Sequence, residues 1–302
     1  MNFFRFSHVY SSALWGGESI RSRYGRGDAP SPCAESWEVS AHPAGMSVVA
    51  GGPFDGTPLD RLALELGARL VGTAAPKGRF PLLLKIIDAA RPLSVQVHPN
   101  ERTASISGGD PKSEAWYVVS AVPGASLYAG LRPGVDATMV REAAQAGASV
   151  AGLLAEHRVS QGDFIYIPGG TPHAIGGGIM IYEVQQSSDT TFRLYDWGRT
   201  DAAGKPRTLH VDAAVKAAEY GVPPPTVVRG RVTTPFFDIR EIKLDGPMEI
   251  VPDGTTFHAV FTVSGNLSVA RAGESILIPA TGERVVLEPV SATAKILLVS
   301  LA

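Results

Sequence analysis

The chain has 302 residues, 27 basic against 29 acidic, a formal charge of −2, 44% apolar and 19% charged content, and a single cysteine. That composition is globular, with two domains as the prior at ~150 residues each, and without a basic cluster it predicts no nucleic-acid partner. No apolar run approaches the ~20 residues of a membrane span, Met1 to His8 lacks the pattern of a signal peptide, and Cys33 alone excludes an intrachain disulfide or a cysteine metal cluster. The cytoplasm is the expected compartment, and any metal must be held by His, Asp, Glu or Gln.

The 33 glycines and 23 prolines lie between short apolar runs, a pattern of many strands joined by tight turns. Leu59, Leu62, Leu66 and Leu70 repeat at helical spacing after Pro58, predicting a helix over 58–70. Strands are expected at Pro81 to Ile87, Leu93 to His98 and Ala115 to Ser120. The Ala-rich stretch 136–157 reads as helical, divided by Gly147 and Gly152. Strands follow at Asp163 to Ile167, Ile179 to Gln185 and Thr191 to Asp196, then a helix from Val211 to Tyr220 ending at Gly221. Gly221-Val222-Pro223-Pro224-Pro225 is a stiff linker. The expected division is therefore a larger domain over 1–225 and a smaller β domain over 226–302.

Chemistry concentrates in three places. Within a strand Gln96 and His98 share a face ~6.6 Å apart and can converge on one ion, although a buried histidine beside a hydrogen-bonded glutamine has the same pattern. Glu114 stands at the head of a strand after Lys112 and Ser113, a place open to a ligand or to a solvated strand end. Gly162-Asp163 opens a strand that Pro168 closes, and His173 follows in a Gly/Pro-rich turn. Two histidines and a carboxylate are a ligand set for Zn²⁺, and also for Fe²⁺ or Mn²⁺.

Gly162-Asp163-x4-Pro168-x4-His173 resembles the second cupin motif, and Gln96-Val97-His98 with Glu114 resembles the first, with Gln in place of the usual first His. Trp15-Gly16-Gly17, Ala34-Glu35-Ser36-Trp37-Glu38, Leu83-Leu84-Lys85, Ser94-Val95-Gln96, Lys112-Ser113-Glu114, Thr171-Pro172-His173 and Asp189-Thr190-Thr191-Phe192-Arg193 together resemble the class I mannose-6-phosphate isomerases over residues 14 to 220. The resemblance implies a mostly β protein of cupin-type jelly-roll barrels with short helical segments. It implies one Zn²⁺ per chain held by Gln96, His98, Glu114 and His173. It further implies site roles for Arg193, Glu183 and Lys112 in catalysis, and for Lys85, Ser94 and Asp189 in binding a sugar phosphate. Some relatives carry a Tyr two residues after the last histidine ligand, where this chain has Ile175. Gly273 to Pro279 echoes Gly162 to Pro168 without a following histidine, so the C-terminal domain is expected to be a degenerate cupin-like unit.

Interconverting an aldose and a ketose phosphate moves a proton between C1 and C2 through a cis-enediol. Arg193 suits an electrostatic or phosphate contact. Lys85 interrupts the run LLLKII and must face a polar pocket, because an unpaired buried lysine is costly. Lys85, Lys112 and Ser94 are the phosphate candidates. Glu183 shares a face with Ile179 and Ile181, where burial raises a carboxyl pKa toward the range of proton transfer; a salt bridge to Lys85 or Arg193 is the other reading. Glu35, Trp37 and Glu38 suit packing beneath the site, and His42 is a further candidate. The competing functions are a non-catalytic sugar-phosphate-binding cupin and another metal-dependent cupin enzyme, an oxygenase or a different sugar isomerase.

Overall fold

The computed structural model describes residues 2–76, 79–200 and 203–302. As the turn-rich sequence predicts, it is mostly β with short helices. Among the described residues the strands Val9–Ser11, Glu35–His42, Leu82–Ala89, Ile179–Gln186, Glu114–Ala121, Asp163–Ile167 and Val227–Arg229 lie side by side in that order, all antiparallel. A second antiparallel sheet runs Phe192–Tyr195, Val95–Val97, His173–Ile175, Ser126–Leu131, Leu154–Arg158. Ile87, Trp116, Ile165 and Ile181 of the first sheet meet Leu127, Ala129 and Ile175 of the second in one core, so the two sheets face each other.

The Leu82–Ala89 strand is buried along its whole length, which explains its continuous apolar run. Leu82, Leu84 and Ile86 point away from the two-sheet core into a second one. There they pack with Phe237, Ile239, Phe261, Leu297 and Val299 of the C-terminal sheet, and Tyr182 stacks on Phe261 with centroids 4.2 Å apart. The odd-numbered residues of the strand, Lys85 among them, face the interior between the first two sheets. The C-terminal sheet runs Arg231–Thr233, Phe237–Leu244, Ala294–Leu301, His258–Ser264, Ser275–Ile278. Val227–Arg229, just past the proline linker, pairs instead with Asp163–Ile167, and Phe4 bridges Leu277 at the other end of the chain.

The 58–70 helix is two pieces, Leu59–Leu66 and Ala68–Val71, because Gly67 takes φ +53° between them. The helical reading of 136–157 needs correction. Asp136 caps Ala137–Gln145 by accepting the Met139 amide at 2.9 Å, but Gly147 turns the chain at φ +65°. A short 3₁₀ turn, Val150–Leu153, follows, and Leu154–Arg158 is a strand on the edge of the second sheet. Pairing with Ser126–Leu131 overrides the helical preference of an Ala-rich segment. The third expected helix is present as Val211–Ala217. No helix among the described residues is long and apolar enough to cross a membrane.

Candidate metal centre and active-site cavity

His98 follows the Val95–Val97 strand, Glu114 opens Glu114–Ala121 and His173 opens His173–Ile175. These strand ends converge, and the ligand-type atoms of the three buried side chains lie within 4.8 Å of one another. His98 Nδ1 is 2.7 Å from the Thr190 carbonyl, and His173 Nδ1 is 2.8 Å from the Thr171 carbonyl. A carbonyl only accepts, so each Nδ1 carries the proton and each Nε2 turns its lone pair inward. Those Nε2 atoms sit 3.4 and 3.3 Å from the two Glu114 oxygens. Gln96 lies directly across from His173 in the sheet, its amide nitrogen 3.3 Å from His173 Nε2.

Lys112 Nζ lies 2.8 Å from one Glu114 oxygen as an ion-pair partner, and no other donor serves this buried carboxylate, a costly condition. Burial lowers both imidazoles, that of His98 to about 3, which keeps them neutral and free to donate. Burial opposes charge on Glu114, yet the Lys112 ammonium holds it well below the usual carboxylate range. Two neutral imidazoles with inward lone pairs and an anionic carboxylate are what a divalent cation requires. The donor set therefore fits a metal.

A cavity of about 120 Å³ adjoins this cluster, lined among others by Ser94, Gln96, Lys112, Lys85, Glu183 and Arg193. Glu183 stands between Lys85 and Trp116 in the ladder, so the three side chains share a face. Lys85 Nζ is 3.0 Å from Glu183 and 3.5 Å from Glu35. Trp116 Nε1 donates to the other Glu183 oxygen at 2.8 Å. Burial first, and the Glu114 charge second, raise the Glu183 pKa against the pull of Lys85. Ser94 donates to the Gln96 amide oxygen at 3.3 Å.

Six of the expected site residues thus line one cavity beside the other three expected ligands. Asp189 is not among the lining residues: its side chain is 57% exposed and faces His42 at 3.7 Å. Its neighbour Thr190 is the one that reaches the centre, through a backbone carbonyl. Sequence reasoning placed Glu35 beneath the site, whereas it lines the cavity and pairs with Lys85; Glu38 lies elsewhere, bound to Arg26 at 2.7 and 2.9 Å. Arg207 also lines the cavity and was not anticipated, and no spacing pattern marks it. Ile175 also lines the cavity. A larger hollow of about 620 Å³, bounded by Tyr166, Pro168, Glu219, Pro225 and Arg231, holds none of these groups.

Residues 3–117 match the family model described as phosphomannose isomerase type I, catalytic domain. The mannose-6-phosphate isomerase of Streptococcus mutans is 37% identical over 286 residues, 89% of each chain. The crystal structure of the Bacillus subtilis mannose 6-phosphate isomerase superposes with a TM-score of 0.86 and 28% identity over 99% of both chains. A zinc-bound mannose 6-phosphate isomerase shares the fold at 17% identity, with a TM-score of 0.76 over 100% of both chains. The paired sheets with their converging strand ends are the cupin architecture, and the chain belongs to the type I mannose-6-phosphate isomerase family.

Proposed function

We propose that this chain interconverts mannose 6-phosphate and fructose 6-phosphate, with one Zn²⁺ held by Gln96, His98, Glu114 and His173. The observation that carries the reading is the Lys85–Glu183 pair facing into a small polar cavity beside a buried His–Glu–His cluster. A divalent cation held by these residues would supply Lewis acidity to the reaction. Zinc suits a set of two imidazoles and a carboxylate.

The chain's own groups do the rest. Glu183 carries a raised pKa and a hydrogen bond that fixes its orientation, the properties of a group that takes a proton from one substrate carbon and returns it to the next. Lys85 holds Glu183 in place and offers a donor to a substrate oxygen. Lys112 and Arg193 set positive charge beside the developing enediolate. Arg193 lines the cavity, which brings its guanidinium to the same wall. Ser94 contributes a hydroxyl to the same wall. Asp189 is assigned an indirect part, bracing the segment whose Thr190 carbonyl orients His98.

A binding-only role is disfavoured by this arrangement, because a pure anion site has no use for a raised carboxyl against a lysine. The test is formation of fructose 6-phosphate from mannose 6-phosphate in a coupled assay. Turnover that stops with chelator and returns with Zn²⁺ is expected; absence of turnover in the metal-loaded protein would overturn the reading.

A further inference from the structure

We propose that Gln185 is a positioning residue for the metal centre, its side-chain amide shaping the turn that carries the Thr190 carbonyl to His98, an inference that rests on the metal reading above. Gln185 lies near the end of the Ile179–Gln186 strand and is fully buried. It shares a face with Glu183, two residues earlier, and stands directly across the ladder from Glu114. Burying a primary amide is costly unless its polar atoms are bonded. The Gln185 nitrogen donates to the Gln186 carbonyl at 2.8 Å and to the Ser188 carbonyl at 2.7 Å. Two carbonyl acceptors fix which end of the amide is the nitrogen. The amide oxygen has no hydrogen-bond partner among the described residues. A methionine would fill the same space without an unpaired acceptor, so what this position uses in glutamine is its pair of donors.

Those donors act on a stretch shaped by side chains rather than by a ladder. Between Gln186 and Phe192 the chain is neither helix nor strand, and there it crosses from the first sheet to the second. Its start is anchored where the Ser187 amide donates to the Pro81 carbonyl at 3.0 Å and the Gln186 side-chain oxygen accepts the Ser113 amide at 2.8 Å. Gln185 then draws the carbonyls of residues 186 and 188 onto one nitrogen and closes the turn. Ser188 is buried by that closure, and its hydroxyl donates to the Asp110 carbonyl and accepts the Thr190 amide, each at 3.2 Å. The Thr190 hydroxyl accepts the Asp110 amide at 3.0 Å, and the Thr190 carbonyl accepts His98 Nδ1 at 2.7 Å. Three hydrogen bonds thus lead from Gln185 to the ligand: amide to Ser188 carbonyl, Thr190 amide to Ser188 hydroxyl, imidazole to Thr190 carbonyl. The group bonded to the outer nitrogen of a ligating imidazole sets its tautomer and orientation, and here that group sits at the end of the turn Gln185 closes.

The experiment compares wild type, Gln185→Met, Ser188→Ala and Val184→Ala. Val184 is buried on the opposite face of the same strand, in the core against the C-terminal sheet, so its truncation costs stability without touching the turn. Zinc affinity is measured by competition with a chelator, unfolding stability by urea, and the His98 Nδ1 proton by NMR of the zinc-loaded proteins. Gln185→Met is expected to bind zinc about tenfold or more weakly, the scale of a lost group behind a ligand, and to shift or lose the His98 Nδ1 proton signal. Val184→Ala is expected to unfold at lower urea while keeping the wild-type affinity and the wild-type signal. A change of less than about tenfold in Gln185→Met, or an equal weakening in Val184→Ala, would overturn the inference. If Gln185→Met does not fold, Ser188→Ala, which removes the hydroxyl between the turn and Thr190, is read by the same threshold. The failures are distinguishable: a wild type that binds no zinc overturns the metal reading itself, whereas tight zinc in wild type and Gln185→Met alike overturns only the part given to Gln185.

Discussion

Lys85 and Glu183 face each other across neighbouring strands, Nζ 3.0 Å from Oε1, both buried inside a β core. Removing one partner of such a pair leaves an uncompensated charge and costs about 3–5 kcal/mol. Lys85→Met is therefore expected to lower unfolding stability by that order, and Glu183→Gln to lower it less, since Lys85 keeps Glu35 at 3.5 Å as a second partner. The double variant should be more stable than the sum of the single losses implies. Urea denaturation of the four proteins checks this; single effects that add within about 0.5 kcal/mol would show the pair to be uncoupled.

The second prediction concerns His98 and the Thr190 carbonyl that orients it. Gly109 sits at φ +78°, and a Cβ there would meet the Thr190 side chain at 2.4 Å. Gly109→Ala must shift Thr190 as well as strain a left-handed position, costing about 1 kcal/mol for the backbone alone. Disturbing a group that orients a ligand typically costs 10–100-fold in metal affinity. A zinc titration against a competing chelator should show at least a tenfold weaker site in Gly109→Ala. An unchanged affinity would mean that the Thr190 contact does not orient the ligand.

Acid sensitivity follows from Glu38. Burial opposes its ionisation, but the bidentate Arg26 contact overrides this and holds the carboxyl below its ordinary value of 4.5. The unfolded chain therefore takes up this proton at a higher pH than the folded one. The stabilisation is complete above about pH 4.5 and is lost as pH falls through the folded value. Glu38→Gln should be less stable than wild type at pH 7, with the gap narrowing below pH 4.5. Unfolding curves at pH 7 and pH 4 decide it, and a gap independent of pH would contradict the linkage.

What could be read in advance divides along physical lines. His98, Glu114 and His173 were legible because ligand chemistry demands particular side chains at strand ends bounded by Gly and Pro. Lys85 and Glu183 were legible because a charge inside an apolar run is too costly without a partner, and the partnership between them is present. Arg207 was not, since a long return loop separates it from Phe192–Tyr195 and nothing local fixes where that loop comes back. The Thr190 contact escaped because it is made by backbone, which no residue type announces. Leu154–Arg158 read as helix because its alanine-rich context favours one, and only pairing with Ser126–Leu131 makes it a strand.

The most direct test of the account is the metal content of the purified protein beside that of a His98→Ala/His173→Ala variant. The account predicts one zinc per chain in the wild type, and neither bound zinc nor formation of fructose 6-phosphate in the variant. Stoichiometric zinc retained by the folded double variant would contradict it.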